Sequence, residues 1–476
     1  MTLGVAAEED ARLPDPLCSL PTICANGKRM SDEREVSGDL VSARPQGAPA
    51  GLRQAFSALR YQDFRRFWIG AALSNIGTWM QNVTVPYVIF LITRSATWVG
   101  FAAFCQLFPG VVLGPVAGWL ADRFERRKLL LLGQVAQALL ALALWWAWVS
   151  DLRDPRLLVV LLTLNGAAFG VIMPAWQAFV TELVPRRALL NAITLNSAQF
   201  NGARAVGPAI GGLILGRFGP SWAFLANAVS FLTVIVALLM VRPPPVRRRR
   251  SRRRILREFA EGLTHVRRQP GLLLAVALVG VVFFLGNPVF QLVPVFAKRV
   301  FRVGPLRYGL LGAAYGIGAI LGAVGLGFLG DRFCHSSFIV AGMLLYGISL
   351  VGLGLVPRYN AGFAFLVLGG IAFLTVIAVL NTSVQLLVAE EVRGRVLAIY
   401  MMSLTGSYPL GALLQGWLAD RISAPETVIA AGGLLGLAGL VLALRPSLAR
   451  SLDDHSDADG REPVTPLEAE PAASAI

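Results

Sequence analysis

Arg204 is the only clearly ionisable residue set deep inside any of the long apolar runs of this 476-residue chain. A charge in such a place is expensive unless a partner or water reaches it, so it marks a functional site by default. It closes a polar series, Asn196, Gln199, Asn201 and Arg204, in which Asn201 lies one turn earlier on an adjacent part of the helix face. An arginine so placed suits an anionic part of a solute or a cluster of backbone carbonyls, and both readings stand. Amides recur at helical spacing elsewhere: Asn75, Thr78 or Trp79, and Asn82; Asn287 with Gln291; Asn381 with Gln385. Taken singly, each suits interhelical glue. Contributed by several runs, they predict a polar cavity, with Trp79, Phe104, Trp176, Phe200, Phe290 and Tyr408 as candidate flat walls.

No Asp or Glu lies deep in an apolar run, and His265, His335 and His455 all fall outside the runs. A buried carboxylate proton relay is therefore not expected. If protons drive a cycle, Asp122, Glu182 or a loop carboxylate takes part. No P-loop, metal-ligand cluster or nucleophile–base arrangement appears. The reading accordingly names no catalytic residue, no metal and no cofactor, and expects no enzyme. Cys18 and Cys24 lack two further nearby ligands for a metal site.

A second constellation sits between two apolar runs. Gly118 to Arg127 reads G-x-x-x-D-R-x-x-R-R, and a weaker copy, Gly327 to Arg332, follows about half a chain later with Asp331 and Arg332. Glu182 to Arg187 and Glu390 to Arg395 echo each other at a similar offset, so the chain reads as two related halves. The expected role is a conformational latch. Gly118 would allow close helix approach, and Asp122 would meet a neighbouring helix N-terminus. Arg123, Arg126 and Arg127 would pair with groups across the halves.

The elements that position these groups follow from composition. The chain is 55% hydrophobic and 15% charged, against about 25% charged in soluble domains. Twelve runs near the roughly 20 residues that cross a bilayer can be placed: 67–91, 98–121, 129–149, 157–180, 190–215, 222–241, 272–295, 308–330, 337–356, 362–388, 396–418 and 427–444. They must be helical, since open strands would leave backbone groups unpaired in lipid. The expectation is an all-α membrane protein of twelve transmembrane helices in two pseudo-symmetric six-helix bundles. Residues 1–50 read as a disordered tail, 51–66 as an interfacial helix and 67–241 as the first bundle. Residues 242–271 read as a basic linker, 272–445 as the second bundle and 446–476 as a disordered tail. Gly207, Pro208, Gly211 and Gly212 suit a kinked, closely packed helix.

The net charge of +15 is concentrated beside the runs, above all in Arg247 to Arg250 and Arg252 to Arg254. This distribution excludes a nucleic-acid surface. The positive-inside rule places the linker, and with it both termini, in the cytoplasm. The Arg247–Arg254 run is a candidate contact for anionic lipid.

The repeated Asp-Arg loop, the twelve spans and the long linker resemble the major facilitator superfamily. Phe56 to Trp68 (F-S-A-L-R-Y-Q-D-F-R-R-F-W), Asn75 to Gln81 (N-I-G-T-W-M-Q), and Leu195 to Asn201 leading to Arg204 to Pro208 resemble its bacterial branch of enterobactin exporters, secretion effectors and macrolide-efflux-like pumps. Gly207 to Gly212 resembles the end of an antiporter signature, from which Thr194, Gly202 and Ala203 depart. The resemblance implies alternating access around a central cavity, usually coupled to protons. The leading expectation is a monomeric exporter of a small siderophore-like, drug-like or otherwise amphipathic molecule in the plasma membrane. Import or lipid flipping on the same scaffold, and a sensor or scaffold without transport, are the alternatives.

Overall fold

The computed structural model describes residues 56–241, 255–329 and 334–453, and every regular element among them is helical. Twelve long helical segments follow in order: α1 (Gln62–Thr93), α2 (Ala96–Arg123), α3 (Arg126–Val149), α4 (Pro155–Glu182), α5 (Leu189–Arg217), α6 (Pro220–Met240), α7 (Pro270–Val300), α8 (Pro305–Leu329), α9 (His335–Leu355), α10 (Tyr359–Leu387), α11 (Arg393–Arg421) and α12 (Ala424–Leu444). Ten of these are long and apolar enough to cross a membrane, α2 through its Ala96–Gly114 part. The other two, α1 and α5, are as long but more polar. They carry Asn75 and Asn82, and Asn196 to Arg204.

Local chemistry explains several boundaries. Asp154 accepts the Arg156 N–H (2.8 Å) ahead of Pro155, the first residue of α4. Ser423 caps α12 by accepting the Glu426 N–H at 3.2 Å. Gly219, at φ 88°, lets the chain reverse between α5 and Pro220.

The packing is a repeat. In the first six helices, α1 packs on α5 and α6, α2 on α4, and α3 on α4 and α6. Six helices later, α7 packs on α11 and α12, α8 on α10, and α9 on α10 and α12. Two contacts dominate between the sets, α5 with α8 and α2 with α11, and the shift of six helices turns each into the other.

The seventh segment is not one regular helix. It contains two π-helical turns, Val282–Gly286 and Phe296–Val300, around Pro288 and Pro294. A π turn frees carbonyls from the regular ladder. The Phe284 and Leu285 carbonyls accept from Gln415 Nε2 of α11 at 3.0 and 2.8 Å, so the break is satisfied inside the protein, as lipid demands.

Two boundary expectations change. A separate interfacial helix over 51–66 is not what residues 56–66 form. Ser57–Arg60 is a single 3₁₀ turn, Tyr61 is extended, and residues from Gln62 onward are already α1. The turn is held because the Ala58 N–H donates to Asn191 Oδ1 of α5 (2.8 Å), with Ala58 fully buried. Residues 446–453 are folded rather than tail. Pro446–Arg450 is a short helix, Ala449 and Leu452 are buried, and Asp453 accepts the Ser336 N–H at 3.1 Å. The expectations for 1–50, for Arg247–Arg254, and for Asp331 and Arg332 lie outside the described residues. Ile255–Arg268 forms a helix with Gly262 against Arg395 and Ile399 of α11, and Glu261 pairs with Arg395 at 3.0 Å.

The α5–α8 crossing rests on glycine. A Cβ at Gly212 would stand 2.5 Å from the Gly309 Cα. Gly212→Leu should therefore lower the thermal midpoint of the purified protein by the equivalent of about 1–3 kcal/mol, the usual cost of overpacking. Gly202→Ala, where a Cβ meets nothing within 4 Å, should not lower the midpoint and should raise it by the equivalent of up to about 1 kcal/mol, the helix-propensity gain of alanine over glycine. Equal midpoints for both variants would show that the crossing is not tight.

Candidate functional site

Among the described residues, the two sets of helices meet through glycine at one end. There, a Cβ on Gly416 of α11 would lie 2.7 Å from the Ala96 carbonyl and 2.9 Å from the Gly100 Cα of α2. On the other crossing, Gly212 meets Gly309, and Gly316 meets Ala205 at 2.5 Å on the same measure. Toward the opposite end, added Cβ atoms on Gly114, Gly118, Gly202, Gly325, Gly327 and Gly394 meet nothing within 4 Å. Among the described residues, the glycines of these four crossing helices are in contact at one end and uncontacted at the other. Gly118, expected to permit a close approach, meets no described atom from another helix.

Arg204 lies between the two sets. Its guanidinium carbon stands 5.3 Å from the Trp79 ring of α1, 5.3 Å from Tyr315 of α8 and 5.2 Å from Phe373 of α10. It forms no ion pair with a carboxylate among the described residues, and its Nε is buried without a hydrogen-bond partner. Neither a carbonyl cluster nor an acid holds this charge. Three aromatic faces do, each cation–π contact contributing on the order of 0.5–2 kcal/mol. Trp79 continues the wall to Phe200 (5.8 Å) and Phe290 (6.3 Å). Tyr315 Oη lies 2.9 Å from Tyr346 Oη. Gln291 Nε2 donates to Tyr408 Oη at 2.9 Å, while Gln291 Oε1 and Asn287 Oδ1 are buried without partners. Asn381 and Gln385 bond only each other, along α10. Asn82 is half-buried on α1.

The remaining amide candidates gather elsewhere, inside the first six helices. Asn75, Gln199 and Asn201 line a cavity of about 220 Å³ with Asn196, Gln177, Trp176 and Phe200. Gln134 and Gln137 of α3 complete it. Those two were not singled out from the sequence, although two amides three residues apart in an apolar run carry the same signal as Asn287 and Gln291.

Gly207 and Gly211 of α5 face α1. Added Cβ atoms would lie 2.6 Å from the Trp79 Cβ and 3.1 Å from the Met80 carbonyl. Pro208 faces Gly312 of α8.

The latch residues have partners other than those expected. Arg126 Nη1 donates to Glu182 Oε1 at the end of α4 (2.6 Å). Arg127 donates from Nε to the Leu238 carbonyl (2.6 Å) and from Nη2 to the Leu239 carbonyl (2.9 Å). The last carbonyls of a helix lack intrahelical donors, and a cation there also meets the negative end of the helix dipole. Both arginines therefore tie α3 to its own half and do not reach across. Arg123 lies over its neighbour Trp119, 5.1 Å from the ring. Asp122 is exposed.

A clamp that was missed closes the other end. Asp420, at the end of α11, accepts from Ser95 Oγ (2.6 Å), the Thr97 N–H (2.8 Å) and Arg299 Nη1 (3.1 Å). Arg299 also donates to the Arg94 carbonyl. The carboxylate thus sits on the N-terminus of α2, where unpaired N–H groups favour an anion. The sequence held the signal. Gly416 to Arg421 reads G-W-L-A-D-R, letter for letter the same as Gly118 to Arg123.

Comparison with known proteins agrees with this architecture. A family model described as transmembrane secretion effector matches residues 53–471. The enterobactin exporter EntS of Escherichia coli O1:K1 is 28% identical over 398 residues, covering 81% of this chain and 92% of that one. Macrolide efflux protein A of Streptococcus pyogenes is 25% identical over 383 residues, 78% and 93% of the two chains. Among solved structures, a D-xylose–proton symporter superposes with a TM-score of 0.64 at 16% identity, over 80% of this chain and 96% of that one.

Removing the clamp should open the end it closes. Asp151 and Arg358 are exposed on loops at that end, one in each half. Spin labels on Asp151→Cys and Arg358→Cys, with Cys18, Cys24, Cys105 and Cys334 replaced, should give a longer distance distribution once Asp420→Ala is added. An unchanged distribution would show that glycine packing alone holds the end shut.

Proposed function

The chain belongs to the transmembrane secretion effector family of the major facilitator superfamily, and from that premise we propose that it exports a small amphipathic organic molecule by alternating access. Membership makes it a multi-pass membrane transporter. On our reading, all twelve long helices cross the membrane in two six-helix bundles. The polar α1 and α5 cross because they turn their amides toward the interior. The enterobactin and the macrolide in the names of the relatives suggest a siderophore-like or drug-like substrate class.

The carrying observation is that the two halves are clamped at the Asp420 end, whereas among the described residues the glycines of the crossing helices are uncontacted at the Asp122 end. Arg123, Arg126, Arg127, Lys128, Arg186 and Arg187 all lie at the open end. The positive-inside rule makes that end cytoplasmic, although Lys298, Arg299, Arg302 and Arg307 crowd the other. Both termini are then cytoplasmic and the membrane is the cell membrane. The conformation is the one in which an exporter loads.

The duplicated hexapeptide supports the other half of the cycle. α2 and α11 run antiparallel, so the Asp122 end of α2 and the N-terminus of α11 lie at the same end of the molecule, with Gly118 and Gly394 uncontacted there among the described residues, whereas Asp420 ends α11 on the N-terminus of α2. In the outward-open state Asp122 would cap α11 near Val392–Arg395, and Asp420 would be released. Proton coupling would then use carboxylates at the membrane surface, with Asp122 the first candidate.

Inside-out vesicles energised with a proton gradient should accumulate a labelled siderophore or macrolide, and right-side-out vesicles should not. Net movement in the reverse sense would make the protein an importer. Asp122→Asn should lower the transport rate by up to about thirtyfold, matching the 0.3–2 kcal/mol of a charge at a helix terminus. Its expression and membrane insertion should remain normal; an unchanged rate removes Asp122 from the cycle.

A further inference from the structure

The amide cavity inside the first half is set apart from the aromatic cluster around Arg204. It lies between α1, α3, α4, α5 and α6, and no charged side chain lines it. Gln134 and Gln199 at its floor are 3% and 7% exposed. Each nevertheless leaves its Oε1 buried without a hydrogen-bond partner. Gln199 is oriented, because its Nε2 donates to Asn196 Oδ1 at 3.3 Å. Its free oxygen is therefore an acceptor waiting for a donor. An unmet buried acceptor costs about 1–3 kcal/mol, and both belong to residues that line one small space.

We propose that this cavity is a binding subsite for an uncharged polar group, one that bears hydroxyl or carboxamide functions. Deepening the transporter reading, on which its use in export rests, it receives a polar substituent of the cargo. Three observations set the chemistry. The free acceptors require a donor. The absence of lining charge excludes carboxylates and ammonium groups, which would lose their hydration with no counter-charge in return. The volume of about 220 Å³ falls below the roughly 300–1,000 Å³ of drug-sized sites, so a substituent enters and the rest of the molecule stays outside. Trp176 and Phe200 provide flat apolar walls. Phe200 also leads out of the cavity, since its ring meets Trp79, which faces Arg204. A molecule with a neutral polar end and an anionic or apolar body would therefore find both kinds of contact in sequence.

Three probes of one shape separate the possibilities: phenylacetamide, phenylacetate and phenethylammonium. They are titrated into the purified full-length protein and followed by saturation-transfer NMR. Phenylacetamide should bind at least about tenfold more tightly than either ion. Gln134→Met and Gln199→Met, each close in volume to the native side chain, should weaken phenylacetamide by about tenfold, the effect of losing roughly one net hydrogen bond. Either variant suffices if the other fails to fold, judged by its thermal midpoint. Equal binding of all three probes, or full phenylacetamide binding by a folded variant, overturns the subsite. So does the absence of any probe binding, which would mean that water alone satisfies the amides. Vesicle transport is a separate readout: probe binding without export would sink the exporter and keep the subsite, whereas export without selective probe binding would do the reverse.

Discussion

A helix terminus carries unpaired N–H groups that must find an acceptor, and the N-terminus of α2 finds one on the far half of the molecule. Asp420 is brought there by α11 and held by Ser95, Thr97 and Arg299. Much else depends on that contact. It fixes where α2 and α11 cross, so Gly100 and Gly416 can pack without side chains between them. α5 and α8 also meet at the same end, where Gly212 packs on Gly309. With one end drawn shut, rigid helices of this length diverge toward the other. The open space, the exposed Asp122 and the unneighboured Gly118 follow from the same geometry.

The aromatic cluster around Arg204 answers a different demand. A guanidinium that binds a carboxylate inside a protein gives up its charge to a fixed partner. Trp79, Tyr315 and Phe373 stabilise the cation without neutralising it. Among the described residues no carboxylate pairs with Arg204, so its charge stays between the two halves. The rings come from both halves, so the same contacts also hold α5 against α8 and α10.

The sequence revealed the elements better than their partners. Long apolar runs are a local property, and they were legible because a bilayer needs about 20 of them in a row. The two π turns of α7 were not, since Pro288 and Pro294 mark a disturbance without saying which hydrogen bonds are lost. Arg126 and Arg127 looked like hands reaching across the molecule. Their acceptors are Glu182 and the carbonyls of Leu238 and Leu239, which only the packing of α3 on α4 and α6 brings near. Asn75, Gln199 and Arg204 were identified as polar residues of the interior. That they serve two separate spaces depends on which helix each faces, and a helical spacing alone does not say. The clamp is the opposite case. Its six letters stand twice in the chain, but the second copy does not share the half-chain offset of the other repeats and sits at the far end of the partner helix.

Gln415 has one more consequence. It lies just over one turn before Asp420 on α11, and its amide supports the Phe284 and Leu285 carbonyls where α7 departs from regular geometry. The helix that carries the clamp is thus also the brace of the bent one. Any pull that lifts Asp420 off α2 is delivered through Gln415 to a turn already short of its own hydrogen bonds. A structure yields first at its softest joint. The bulge of α7 is such a joint, and Asn287 stands immediately beyond it.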